Sequence, residues 1–233
     1  AAVVGAPACD RNTYDAVSVN LGAVNCLLGN LSKDQRVVFP NTNSGYGKSD
    51  TICTEDSPLN PLSLYAQTKG EAEKAVLDVG GVSLRLATAF GVSPRMRLDL
   101  LVNDLTYRAV RDGYTVLYES AFRRNFVHVA DIVEAFMFVM RPHQFWYMKG
   151  RAFNVTSNDG NISKWKLCEL IQRTVPSFKF FEGLYTTDPD QRDCVVSTDR
   201  IRALGFVPFV SLEEGIRELV KAYTMFSSGD MRN

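Results

Sequence analysis

A tyrosine and a lysine four residues apart, Tyr65 and Lys69, form the spacing in this sequence with the clearest chemical use. On a helix such residues share one face, so the phenol and the ammonium are neighbours. A nearby cation favours the phenolate and lowers the pKa of a tyrosine, and a long lysine side chain can reach a bound ribose. Thr42 can hydrogen-bond the same substrate oxygen. The three residues predict a general acid/base site, although this spacing also arises when a tyrosine packs in the core beside a solvated lysine.

The elements that must position these residues form one strand–helix–strand unit. Residues 36–42 are a short β-rich run without alternation, as in a parallel strand that is buried on both faces. Residues 63–79 predict a helix and residues 82–88 the next strand. In such a unit the crossover is right-handed, and ligands gather at the carboxyl ends of the strands. Thr42 and Thr88 are therefore expected to face one crevice.

The rest of the chain alternates in the same way. Residues 43–61, with many Ser, Gly and Asp residues, are predicted as a long surface loop. The other predicted elements are helices over 14–28, 98–111, 131–140, 164–174 and 211–226, and strands over 114–118, 125–129 and 152–155. This alternation predicts an α/β fold with a parallel sheet.

Composition limits the class of protein. Lys plus Arg and Asp plus Glu both number 26, so the net charge is zero and gives no general attraction to nucleic acid or to an acidic membrane. The apolar runs are much shorter than a membrane span needs. Five cysteines without regular spacing predict free thiols and a cytoplasmic protein. His128 and His143, without paired spacing, predict no metal site.

Longer motifs surround the candidate residues in a fixed order. They are NTNSGYG at 41–47, EDSP at 55–58, PLSLYAQTK at 61–69, LRLATAFG at 84–91, RNFVHVAD at 124–131 and LGFVP at 204–208. Together they resemble the extended short-chain dehydrogenase/reductase family, in its NAD-dependent sugar-nucleotide epimerase/dehydratase branch. The resemblance covers nearly the whole chain.

This resemblance implies a Rossmann-like doubly wound parallel sheet that lacks its first strands. Residues 1–92 are then the remaining part of the NAD-binding domain with the catalytic residues. Residues 93–233 are mainly a smaller α/β substrate-binding part, and residues 125–140 return to the Rossmann domain. The family also implies a homodimer, through the helix at 98–111 or the run after Tyr14.

The resemblance assigns catalytic and cofactor roles by position. Thr42 matches the catalytic Ser/Thr, Tyr65 the general acid/base, and Lys69 the residue that binds the nicotinamide ribose. The cofactor, NAD or alternatively NADP, is expected to contact both Tyr65 and Lys69. Further expected cofactor contacts are Ala1 and Ala2, at the end of an apolar strand, with Asn20 and Ala87. Asn20 can instead be an amide on the helix surface.

The substrate implied by the family is a nucleotide-diphosphate sugar. Arg124 matches a diphosphate-binding arginine, and Arg192 lies where a second is often found, because a guanidinium fork suits paired phosphate oxygens. Either arginine can instead be a solvated charge. The other expected substrate-binding residues are Thr42, Asn43, Ser44, Thr88 and Asn103.

Two departures from the family pattern are informative. No G-x-x-G-x-x-G or G-x-G-x-x-G motif is present, so we expect an N-terminally truncated chain that binds dinucleotide weakly and is inactive alone. The residues after Thr42 are Asn43 and Ser44, where dehydratases and decarboxylating members carry acids. This difference disfavours dehydration and leaves 4-epimerisation through a transient keto-sugar as the predicted reaction. The alternatives are a keto-sugar reductase, a reductase of small carbonyls, and a non-catalytic dinucleotide-binding protein of the same fold.

Overall fold

Strands and helices alternate along the chain in a computed structural model that describes residues 2–183, 187 and 191–225. The helices are α1 (Ala6–Arg11), α2 (Thr13–Val17), α3 (Ala23–Gly29), α4 (Leu64–Asp78), α5 (Leu101–Arg111), α6 (Val129–Met140), α7 (Pro142–Met148), α8 (Lys164–Thr174), α9 (Asp199–Arg202) and α10 (Leu212–Met225). The strands are β1 (Val38–Thr42), β2 (Lys48–Cys53), β3 (Val82–Leu86), β4 (Thr88–Phe90), β5 (Tyr114–Leu117), β6 (Arg123–His128), β7 (Ala152–Val155), β8 (Asn161–Ser163), β9 (Lys179–Glu182) and β10 (Asp193–Val196).

The strand–helix–strand unit that the sequence predicts forms the centre of the fold. β1 pairs in parallel with β3, and β3 pairs in parallel with β7, so the sheet order is β1-β3-β7. α4 is the crossover between β1 and β3. The Ser63 side chain caps its start by accepting a hydrogen bond from the Ala66 N–H at 3.2 Å, and Gly80, with φ of 80°, follows its end. These two features define where α4 begins and ends beside β1.

Three further sheets are present among the described residues. β4 pairs in parallel with β6, which pairs antiparallel with β8, while β5 pairs with β9 in parallel. β2 pairs in parallel with β10. The prediction of an uninterrupted loop over 43–61 is wrong at β2, because the pairing partner of that strand lies about 140 residues later and no local pattern announces it.

Two clusters of apolar side chains form most of the core. One joins β3, β7 and α6 through Val82, Leu84, Phe138, Phe153 and Val155. The other joins β4, β6, α5, α8 and α10 through Phe90, Leu105, Phe126, Leu167 and Ile216. α6 therefore packs with the central sheet, whereas Phe126 of β6 belongs to the second cluster. The domain boundary at residue 92 stays a prediction.

Candidate active site

Thr42, Tyr65 and Lys69 lie around the carboxyl end of β1. Thr42 is the last residue of β1 and caps the 3-10 turn Asn43–Tyr46, because its hydroxyl accepts a hydrogen bond from the Ser44 N–H at 3.1 Å. Tyr65 and Lys69 lie in the first half of α4. The Lys69 Nζ donates to the Pro40 carbonyl oxygen at 2.5 Å and lies 3.8 Å from the centroid of the Phe39 ring. Lys69 is thus tied to β1 just before Thr42.

The Tyr65 phenol lies in a mainly buried position beside Thr42. Burial raises its pKa, and so does the Cys9 thiol, while Arg97, Arg192 and a hydrogen bond with Thr42 act in the opposite direction. The net shift is upward. The expectation of a pKa lowered by Lys69 is therefore wrong for this structure. The ammonium is directed to the strand backbone, and removal of the phenol from water has the larger effect.

Burial has the reverse effect on the lysine. Lys69 is 4% exposed, and this desolvation lowers its pKa to about 8, against the charge of Glu73, which raises it. A lysine with this pKa titrates close to neutral pH. Burial therefore moves the two pKa values in opposite directions, with that of Tyr65 raised and that of Lys69 lowered.

Ser44 joins the turn after β1 to Arg192, and Arg192 in turn contacts Arg124. The Thr42 hydroxyl donates to the Ser44 Oγ at 3.0 Å, and the Arg192 Nη1 donates to the same oxygen at 2.7 Å. The Nη1 of Arg124, a buried residue at the start of β6, donates to the Arg192 carbonyl oxygen. The structure therefore brings Thr42, Ser44, Tyr65 and Arg192 together, with Arg124 next to them. Neither arginine is the solvated charge that the alternative interpretation describes.

Asn43 is the second residue of this turn and has an unusual environment. It is 3% exposed, yet neither atom of its side-chain amide has a hydrogen-bond partner in the described part of the chain. A buried amide without partners is costly, which favours contact with a polar ligand group. This environment supports Asn43 as a substrate-binding residue, a role that stays a prediction.

Asn103 on α5 shapes the loop that follows β4. Its Oδ1 accepts from the Gly91 N–H at 3.2 Å, and its Nδ2 donates to the Arg97 carbonyl oxygen at 2.9 Å. Both ends of the buried amide thus hold the loop backbone. At the junction of β3 and β4, the Ala87 N–H donates to the Val155 carbonyl oxygen at 2.9 Å, and Thr88 begins β4. The ligand contacts expected of Asn103, Ala87 and Thr88 stay predictions.

Asn20 holds the N-terminal segment, where several of the expected cofactor contacts lie. Ala1 lies outside the described residues, and residues 2–4 have no regular secondary structure, so the expected strand end at Ala2 is wrong for the described part. Asn20, 1% exposed within the π-helical segment Ser18–Gly22, accepts from the Val3 N–H at 2.8 Å and donates to the Val3 carbonyl oxygen at 3.0 Å. The alternative of a surface amide is also wrong. π-Helical turns are frequent at functional sites, and cofactor binding by Asn20 and Ala2 stays a prediction.

Sequence reasoning missed Arg97 as a member of this site. Arg97 pairs with Asp99, with 2.5 Å between Nη2 and Oδ2, and its charge acts on Tyr65. No spacing pattern marks Arg97, since it belongs to an irregular loop that Asn103 shapes. Two other kinds of feature are absent from the described part of the chain. Within residues 2–183, 187 and 191–225, no group of three or more His, Cys, Asp or Glu side chains is arranged to hold a metal. In the same residues no helix has both the length and the apolar character for a bilayer span.

Comparison with known proteins identifies the family. A family model described as the NAD dependent epimerase/dehydratase family matches residues 1–155. The chain belongs to this family. Its membership confirms an NAD-dependent, extended short-chain dehydrogenase/reductase type of protein with a Rossmann-like α/β fold.

Members of the family with different reactions are similar to this chain. UDP-glucuronic acid decarboxylase 2 of Arabidopsis thaliana is 26% identical over 212 residues, which are 84% of this chain and 46% of the relative. The dTDP-D-glucose 4,6-dehydratase of Mus musculus is 26% identical over 204 residues, 81% of this chain and 56% of the relative. The chain therefore spans about half the length of these curated relatives.

Solved structures of the family share the fold. The UDP-glucuronic acid 4-epimerase from Bacillus cereus, in complex with UDP-glucuronic acid and NAD, superposes with a TM-score of 0.83 and is 18% identical. The match covers 96% of this chain and 73% of the other. At this identity the likeness concerns the fold.

Proposed function

We propose that the protein acts as a nucleotide-sugar 4-epimerase through a transient keto-sugar. The observation that carries the proposal is the arrangement at the end of β1. Thr42 and Tyr65 interact there, and Lys69 on the same helix is bonded to the strand backbone two residues before Thr42. Such a group of hydroxyl, phenol and ammonium can bind a sugar hydroxyl and move its proton.

Opposing effects act on the two protonation states of Tyr65. Burial favours the neutral phenol, which can donate a proton to a keto oxygen. Arg97, Arg192 and Thr42 favour the phenolate, which can accept a proton from a sugar hydroxyl. Thr42 is placed to hold the reacting oxygen. Because the net shift of its pKa is upward, Tyr65 is held as the neutral phenol, and its action as a base depends on these three groups.

The residues at the site are compatible with the nicotinamide ribose of NAD. The Lys69 ammonium has three N–H donors and gives one to Pro40, which leaves it suited to a ribose hydroxyl as well. When bound, NAD supplies the acceptor and donor of hydride. Tyr65 and Lys69 would hold the ribose, while Asn20 keeps the segment around Val3 in place through both backbone groups.

Epimerisation is favoured over dehydration by the residues next to Thr42. The position after it is an amide, Asn43, and Ser44 is engaged with Thr42 and Arg192. Neither residue is an acid that could take part in the extra proton transfers of a dehydration. In this proposal Arg192 and Arg124 bind the diphosphate, and Asn43 binds a polar group of the sugar. The proposed substrate is therefore a nucleotide-diphosphate sugar.

Assembly and location belong to the same proposal. The helical run α2–α3 exposes Tyr14, Val17 and Leu27, which supports this run as the apolar contact of a homodimer. Such an assembly would act in the cytoplasm, in agreement with free thiols at Cys9, Cys26, Cys53, Cys168 and Cys194.

The test is turnover of UDP-glucose and UDP-glucuronic acid by the natural protein that carries this chain, with NAD added. Proton NMR of the sugar distinguishes a 4-epimer from a dehydrated or reduced product. We expect the 4-epimer, and Tyr65→Phe is expected to lower kcat by roughly 100-fold to 10,000-fold, because the acid/base group is lost. The control is Tyr147→Phe, a tyrosine that is 70% exposed on α7, with unchanged kcat expected. A Tyr65→Phe variant with most of its activity would contradict the mechanism, and a reduced product would favour a keto-sugar reductase.

A further inference from the structure

A buried carboxylate lies one helical turn beyond Lys69. Glu73 of α4 is 2% exposed, and three residues from two strands bind its carboxylate. The Asn41 Nδ2 and the Ser83 Oγ each donate to its Oε2 at 2.7 Å. The Arg85 Nη2 donates to its Oε1 at 2.7 Å, and the Arg85 Nε also reaches both oxygens at 3.1 Å. Both oxygens of the Glu73 carboxylate therefore accept hydrogen bonds, one helical turn away from Lys69.

The bonds of Arg85 extend this cluster to other elements. Its Nη1 donates to the Tyr46 hydroxyl at 2.8 Å, and the Tyr46 hydroxyl donates to the Asn154 Oδ1 at 2.8 Å. The Asn154 N–H in turn donates to the Glu55 Oε1 at 2.8 Å. The cluster thus joins α4, β1, β3, β7 and the turn that begins after Thr42.

Glu73 acts on the site from two directions. Through Asn41 it holds the residue between Pro40, which accepts from Lys69, and Thr42. Through its charge it acts on Lys69, four residues earlier on the same helix. A buried ion pair by itself is weak evidence for a stabilising role, and apolar residues of similar volume often replace one without loss of stability. Stabilisation of the fold by the ion pair therefore does not by itself explain the contacts of Glu73 with the site.

We propose that Glu73 is a positioning residue of the active site, whose charge retains the Lys69 ammonium and whose hydrogen bond to Asn41 holds the strand end that carries Thr42. The meaning of this role for catalysis rests on the proposed function, but the electrostatic effect on Lys69 does not.

The surroundings of Lys69 support an electrostatic role. The charged group that acts on Lys69 is Glu73. Arg85 faces Glu73 in turn, and Tyr46 faces Arg85. Burial lowers the pKa of Lys69 and the charge of Glu73 raises it. Burial would also raise the pKa of Glu73, but the hydrogen bonds and charge of Arg85, with Ser83 and Asn41, lower it overall. Glu73 therefore stays ionised, and its negative charge favours the protonated form of Lys69.

Two substitutions are expected to have opposite effects on Lys69. Glu73→Gln removes the negative charge and leaves Arg85 without its ion-pair partner, so the pKa of Lys69 falls by about one pH unit. Arg85→Gln removes a neighbouring cation while Ser83 and Asn41 still bond the Glu73 carboxylate and keep it ionised, so the pKa of Lys69 rises. A role limited to packing would not produce shifts of opposite sign.

The measurement is an NMR titration of the full chain with 13Cε-labelled lysine, and Lys69→Met assigns the Lys69 signal. Glu71→Gln, an exposed carboxylate on the same helix, is the matched control and is expected to leave the titration unchanged. If Glu73→Gln does not fold, the double variant Glu73→Gln/Arg85→Gln has no unpaired buried charge, and the pKa of Lys69 in it is expected to lie below that in Arg85→Gln. A Lys69 pKa that is unchanged without Glu73, or that moves in one direction in both single variants, overturns the proposal. The titration uses no substrate, so failure of the proposed 4-epimerase activity would not affect its outcome.

Discussion

At the scale of single residues, burial decides what the polar side chains of this protein do. Asn20 is the clearest case, because a helix-surface position and a cofactor contact are both compatible with its place in the sequence. In the structure its amide bonds both backbone groups of Val3, in the way a neighbouring strand would. Residues 2–4 are thereby held beside the π-helical segment without belonging to a strand.

Asn20→Ala is expected to destabilise the protein by about 2 kcal/mol, because it leaves the Val3 N–H and carbonyl without these partners. The free energy of unfolding in urea is the measurement. Asn25→Ala, at an exposed position in α3 of the same helical run, is the control and is expected to change stability by less than about 0.5 kcal/mol. Equal effects of the two substitutions would show that the Asn20 clamp contributes little.

Lys69 predicts a pH dependence of stability. Its pKa is lowered to about 8 in the folded protein from 10.5, so between these values the unfolded chain binds more protons. The contribution of Lys69 to stability therefore rises with pH in this window, by up to about 1.4 kcal/mol per pH unit. Comparison of urea unfolding for the natural chain and Lys69→Met across this range isolates the effect. A stability difference that is constant from pH 8 to 10.5 would contradict the lowered pKa.

At the scale of elements, the 3-10 turn after β1 determines the geometry of the candidate site. Thr42 begins the turn, and Gly47, with φ of 65°, ends it. The Asn60 N–H donates to the Gly45 carbonyl oxygen at 2.8 Å, which closes the following loop over the turn. A Cβ atom on Gly47 would lie 2.2 Å from the Asn60 carbonyl oxygen. Both the backbone conformation and the close approach of the loop therefore require glycine here.

Gly47→Ala is expected to lower stability by about 2 kcal/mol or more, since the strain of a positive φ adds to the clash with Asn60. Gly29→Ala is a matched control, because no atom lies within 4 Å of the Cβ it would introduce at the end of α3. That substitution is expected to leave stability unchanged or to raise it by up to about 1 kcal/mol. Thermal unfolding of both variants checks the prediction, and similar transition temperatures would refute it.

At the scale of the whole molecule, the last part of the described chain returns to the site. β10 pairs with β2, and Arg192, just before β10, reaches Ser44 across 148 positions of sequence. Asp193 anchors this return, because it accepts from the Arg123 N–H at 2.8 Å and from the Arg123 Nε at 2.9 Å. The proposed diphosphate contacts therefore depend on the pairing of strands from opposite ends of the chain.

Asp193→Ala is expected to weaken the binding of UDP roughly tenfold, because it removes the contact that holds the Arg192 segment against β6. Isothermal titration calorimetry with UDP is the measurement. Asp78→Ala, at the exposed end of α4, removes the same charge elsewhere and is expected to leave the affinity unchanged. An equal loss of affinity in both variants would indicate a general effect of charge and not the anchoring of Arg192.

The sequence by itself determined the elements and residue types that local spacing controls. The helical spacing of Tyr65 and Lys69, the apolar runs of β1 and β3 and the order of the motifs led to an α/β fold and to its family, which the comparisons confirm. Only the tertiary structure decided the environments. The upward pKa shift of Tyr65, the Asn20 clamp on Val3, the presence of Arg97 and the buried Glu73–Arg85 pair arise from contacts between distant parts of the chain. Spacing reports which neighbours a residue has along one helix or strand, whereas desolvation and charge depend on every element that packs against it.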